Sequence, residues 1–83
     1  MATLTASFVN GHGSSIRYQI VDTSRDPNSP PVLFDNYLEP DQSTGDLQLY
    51  SADGVYASVT YFRSDGYSEV KPDITDGSAV RLN

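Results

Sequence analysis

The sequence predicts an all-β protein, a small antiparallel β-sandwich of about seven short strands with no significant helix. Three observations carry this. Apolar and polar residues alternate over several separate stretches. Turn signals punctuate the chain at short intervals, among them Asp53-Gly54 and Asp65-Gly66, twelve residues apart. No segment keeps a helical period over two turns, and β-branched and aromatic residues fill the apolar positions.

Residues 2–9 alternate, with Leu4, Ala6 and Phe8 on one face and Thr3, Thr5 and Ser7 on the other. Residues 14–22 do the same, with Ile16, Tyr18 and Ile20 against Ser15, Arg17 and Gln19. Pairing Phe8 with Ile16, Ala6 with Tyr18 and Leu4 with Ile20 keeps all six on one face. It makes a hairpin with His12 at its tip between Gly11 and Gly13. Thr23–Pro31 holds three prolines and reads as a stiff loop. Val32–Asp35 follows as a short strand, and 36–45 as a polar loop interrupted by Tyr37 and Leu38.

Leu47–Val70 is the stretch on which the fold turns. It reads as a three-stranded meander with Val55–Arg63 in the middle. A three-residue loop, 52–54, sets Leu49 against Ala57 and Leu47 against Val59. A two-residue loop at Asp65-Gly66 sets Tyr61 against Val70 and Phe62 against Glu69; a three-residue loop would instead put Tyr61 opposite the charged Glu69. A slip of one residue would turn every apolar side chain to the wrong face, so register decides the core. Pro72 is expected to end the third strand, and 73–77 to lead into a last strand, Ser78–Leu82. The expected buried set is Leu4, Phe8, Ile16, Tyr18, Ile20, Phe34, Leu47, Leu49, Val55, Val59, Tyr61, Val70 and Val80. The strand count is that of immunoglobulin-like sandwiches, but their cysteine–tryptophan–cysteine hallmark is absent.

Eighty-three residues make one domain, 1–83, with a modest core. There is no cysteine to reinforce it and no thiolate to hold a metal. The formal net charge is −6. That speaks against nucleic acid, which calls for a basic patch, and against anionic lipid. No apolar run is long enough to cross a membrane, and the first residues alternate like a strand instead of forming a signal peptide. A soluble protein is expected; its location stays open.

Three groups of residues are candidates for function. His12, the single histidine, could serve as a base, but neither a cysteine nor a Gly-X-Ser-X-Gly elbow accompanies it. Alternating strand directions would gather Asp22, Asp26, Asp53, Asp73 and Asp76 at one end of the sandwich. There Asp26, Asp53, Asp73 and Asp76 are the candidates to bind calcium, a cation that takes six to eight oxygens. The same Asp residues are equally at home as turn formers. The third group is aromatic. The registers above leave Tyr50, Tyr56, Phe62 and Tyr67 on the outward face of the meander, with Tyr37 on the loop that covers or extends it. Tyr and Phe on a solvent face suit contact with a partner or a sugar. The expected function is therefore a non-enzymatic interaction module that works through this face and its loops. It would meet a protein partner or copies of itself in a homo-oligomer or larger assembly, with no resident cofactor. A carbohydrate-binding or calcium-dependent lectin-like domain is the alternative.

Overall fold

A computed structural model describes residues 2–23, 25 and 28–83, the side chain of Ala2 excepted. It is all-β, with no helix among the described residues. Seven strands run in order: β1 (Ala2–Asn10), β2 (Ile16–Val21), β3 (Val32–Leu38), β4 (Leu47–Ser51), β5 (Ala57–Arg63), β6 (Ser68–Ile74) and β7 (Ser78–Leu82). They form two sheets, β4-β1-β7 and β3-β2-β5-β6. Every neighbouring pair is antiparallel except β1 and β7, which run parallel. Apolar side chains from both sheets meet in one core: Leu4, Ala6, Phe8, Leu49 and Leu82 from the first, and Ile16, Tyr18, Ile20, Leu38, Ala57, Val59, Tyr61 and Ile74 from the second.

The alternation correctly assigns the inward faces of β1 and β2, but these strands are not a hairpin. β1 pairs with β4, setting Leu4 beside Leu49, and with β7, setting Phe8 beside Val80. β2 lies in the opposite sheet. Apolar residues that match side by side in a hairpin match equally well face to face across a core, so parity alone does not choose between them. The connection after β1 is held by the Gly11 N–H, which donates to the Leu82 carbonyl at 2.6 Å. A Cβ on Gly11 would sit 2.2 Å from that oxygen, so no other residue fits there without a shift.

The meander is corrected at both turns. β4 and β5 do not pair; the chain crosses between sheets over 52–56. Val55 therefore lies in the crossing and is 53% exposed. β5 and β6 do form a hairpin, but Tyr61 pairs with Glu69 and Phe62 with Ser68. The turn has three residues, closed by the Arg63 N–H to the Tyr67 carbonyl at 2.7 Å, with Gly66 at φ 98°. The expected register avoided Glu69 opposite a core tyrosine. In fact the buried Tyr61 hydroxyl needs an acceptor and donates to Glu69 Oε1 at 2.6 Å. That bond holds the Glu69 carboxyl below its ordinary range, while burial and Glu69 push the Tyr61 phenol up. The same register leaves Val70 outward and 57% exposed.

β3 reaches Leu38, which is buried, so the expected 36–45 loop starts later. β6 runs through Pro72 to Ile74, because an edge strand tolerates a missing N–H. Of the expected buried set, Val55 and Val70 are exposed; Phe34, Leu47 and Val80 pack half-buried against the core.

Candidate functional site

The outward face of the four-stranded sheet is built from residues whose neighbours point into the core. One row crosses all four strands as Val32, Val21, Thr60 and Val70. The next runs Asp35, Gln19, Phe62 and Ser68. Beyond it Tyr37 stands beside Arg17. Val21 is buried, but Val32, Tyr37, Phe62 and Val70 are 53%, 59%, 43% and 57% exposed. Arg17 Nε meets Asp35 Oδ1 at 2.8 Å, which raises the guanidinium pKa and lowers that of the carboxyl. An open depression of about 280 Å³ lies between this pair and Phe62, lined also by Gln19, Arg63 and Ser64.

At the turn end of the sheet Arg63 is locked in place. It grips Asp65 with two N–H groups and lies 4.5 Å from the centre of the Tyr67 ring. Tyr67 in turn leans on Tyr61, ring centres 6.2 Å apart. The hydrogen bonds from Arg63 bring the Asp65 carboxyl down to about 2 from 3.8. Asp53 is lowered too, since its Oδ1 accepts from the Tyr56 N–H, the Val55 N–H and the Ser51 hydroxyl, each at 2.9 Å. A depressed folded-state pKa contributes stability that is present above the unfolded value and lost as pH falls through the folded one. The melting temperature is therefore expected to fall as pH drops from above 3.8 towards about 2. Asp65→Asn should flatten the lower part of that profile. An identical acid limb in the variant would show that the Arg63–Asp65 pair contributes nothing.

The aromatic candidates are dispersed. Phe62 and Tyr37 share the outward face. Tyr67 caps one end of β5, and Tyr56 stands at the other in the 52–56 crossing. Tyr50 belongs to the other sheet. The expected single face required β4 to pair with β5, and it does not. The outward positions missed beforehand are Val32 and Val70. The register of β6 hid Val70, and Val32 read as the start of a short strand.

Of the acidic candidates, two come together and one stands apart. Asp26 lies outside the described residues. Asp53 and Asp73 line a second depression of about 380 Å³ with Ala52, Tyr56, Ala57, Ser58 and Pro72. Asp76 instead accepts the Thr5 N–H at 2.8 Å, beside β1. Among the described residues no three His, Cys, Asp or Glu side chains are grouped to hold a metal ion. Asp22 is fully buried and accepts the Tyr50 N–H at 2.9 Å, joining β2 to the opposite sheet.

His12 is half-buried, not fully exposed. Its N–H donates to Asn10 Oδ1 at 2.7 Å, and its Nδ1 lies 3.0 Å from Ser14 Oγ. That is the spacing of a base and a hydroxyl nucleophile, but the contact joins residues two apart within one turn, and both depressions lie elsewhere. Comparison with protein-family models, with curated proteins and with solved structures finds no match for this chain.

Proposed function

We propose that this chain is a non-enzymatic recognition module whose contact surface is the outward face of the four-stranded sheet. One observation carries the reading. Val32, Phe62 and Val70 stand exposed with Tyr37 on strands whose outward positions hold one charged pair, Arg17 and Asp35, and one further charge, Asp73, at the end of β6. A solvent face is ordinarily studded with charge, and an apolar area rimmed by polar groups is the usual composition of a contact surface. Phe62→Thr with Val70→Thr keeps strand-compatible residues and leaves the core untouched. The double variant is expected to fold as before and to lose the species that the wild-type protein retains from its native extract. Retention of all of them would overturn the reading.

A second reading has its own observation. Tyr56 is half-exposed at the depression that Asp53 and Asp73 line. An aromatic ring beside carboxylate acceptors suits a sugar, whose apolar face stacks while its hydroxyls donate. A glycan array, run with and without chelator, tests it. Binding abolished by Tyr56→Ala would favour this reading over the first.

A further inference from the structure

We propose that the occupant of the exposed sheet face is a second copy of this chain, seated face to face about a two-fold axis. The inference rests on the reading of that face as the recognition surface and adds the partner's identity.

Charge is the first argument. The chain carries a formal net charge of −6, so two copies repel unless they meet where the charge is absent. Most carboxylates of the described residues lie at or beyond the strand ends. Glu39, Asp41 and Asp46 lie between β3 and β4, Asp53 in the 52–56 crossing, and Asp73 and Asp76 around the β6–β7 connection. A contact through either end of the sandwich would set like charges against each other. The outward face of β3-β2-β5-β6 is different. Apart from Asp73 at the end of β6, its one carboxylate, Asp35, is matched by Arg17 at 2.8 Å, so the middle of the face is neutral. Two neutral apolar faces can close while the acidic ends stay in water. A partner of opposite charge would be steered to the acidic ends and not to this face.

Area is the second. The molecule measures 36 × 26 × 16 Å, and the two broad dimensions belong to the sheets. A stable dimer buries about 800 Å² on each partner, which a surface of that breadth can supply. Exposed apolar side chains stand on both edge strands, Val32 on β3 and Val70 on β6, with Phe62 of β5 between them. A two-fold contact also uses each residue twice, so a modest patch is doubled. A domain with so small a core gains more from such burial than a large one does.

The test is the mass of the full chain in solution, by sedimentation or light scattering from micromolar to millimolar concentration. The wild-type protein is expected at twice 9.1 kDa. Val32→Lys with Val70→Lys, both at exposed positions, is expected to return it to 9.1 kDa with the circular dichroism of the folded protein. Ala79→Lys, exposed on β7 of the other sheet, is expected to leave the dimer intact. A wild-type protein that stays monomeric at the highest concentration overturns the proposal. So does a dimer that survives the double variant or dissociates with Ala79→Lys. If the wild type is monomeric but Phe62→Thr with Val70→Thr still loses a retained species, the recognition face stands and only self-association falls. If that variant keeps everything as well, both readings fall.

Discussion

Asn10→Ala is expected to cost about 3 to 4 kcal/mol, since it combines a lost buried network with a cavity. Asn10 is fully buried at the end of β1. Its Nδ2 donates to the Leu38 carbonyl at 2.8 Å and the Ser14 carbonyl at 3.0 Å. Its Oδ1 accepts the His12 N–H at 2.7 Å and the Tyr18 hydroxyl at 2.8 Å. One carboxamide thus ties β1 to the end of β3, to the turn before β2 and to the core tyrosine of β2. Alanine would leave the Tyr18 hydroxyl the Asn83 carbonyl at 3.0 Å as its remaining acceptor, and would remove the amide that donates to the Leu38 carbonyl. In a domain of this size the expected loss corresponds to a fall of roughly 12 to 30 °C in melting temperature. Asn10→Asp separates the causes. It preserves shape and both acceptor contacts but turns an oxygen towards two carbonyls, and should be nearly as harmful. Thermal melting of the two variants decides. Wild-type midpoints in both would mean that the network is not what joins these elements.

Asp22→Ala is expected to cost about 3 kcal/mol, the effect of removing one member of a buried polar cluster. Its Oδ2 holds the Tyr50 N–H of β4 at 2.9 Å, and its Oδ1 accepts the Arg25 N–H at 3.3 Å. Arg25 Nε stands 3.8 Å away, half-exposed, as the nearest positive group. Among the described residues no ladder bond connects the two sheets at this corner, so the carboxylate is a polar bridge between them. Asp22→Asn keeps an oxygen for Tyr50 and removes the charge. It should lose less, and the difference between the two variants measures what the charge adds. Denaturant titration gives both values, and amide exchange at Tyr50 should quicken in Asp22→Ala. Unchanged exchange there would refute the bridge even if stability fell.

The faces of the strands were legible in the sequence, but their partners were not. Leu4, Ala6, Phe8, Ile16, Tyr18, Ile20 and Val59 all point inward as their alternation requires. A period of two distinguishes inside from outside and says nothing about which strand lies alongside. Hence the two expected hairpins that are really crossings between sheets. Phe62 was legible as outward for the same reason. Tyr50 was outward too, but on the other sheet, because its partner strand was misassigned. Asp22 read as a turn former, as short polar residues at strand ends usually are, and nothing in the sequence singled out Asn10. Only three-dimensional packing shows that both are sealed inside. Glu69 shows the converse: avoiding a charge opposite a core residue misplaced β6, when the hydroxyl of Tyr61 was what attracted it.

The parallel pairing of β1 with β7 has a consequence for how the protein is made. β2 with β3 and β5 with β6 are local hairpins and can zip early. β1, the central strand of its sheet, has only distant neighbours: β4, and the strand that leaves the ribosome after all the others. Closing loops of that length precedes any reward from the contact, so the three-stranded sheet should form late and set a folding rate slow for so short a chain. During synthesis the four-stranded sheet would wait with its inner face uncovered, the state in which a chaperone or an aggregate competes for it. Pulse-labelled hydrogen exchange during refolding would show the order. Amides of β5 and β6 should be protected before those of β1, and simultaneous protection would remove the distinction.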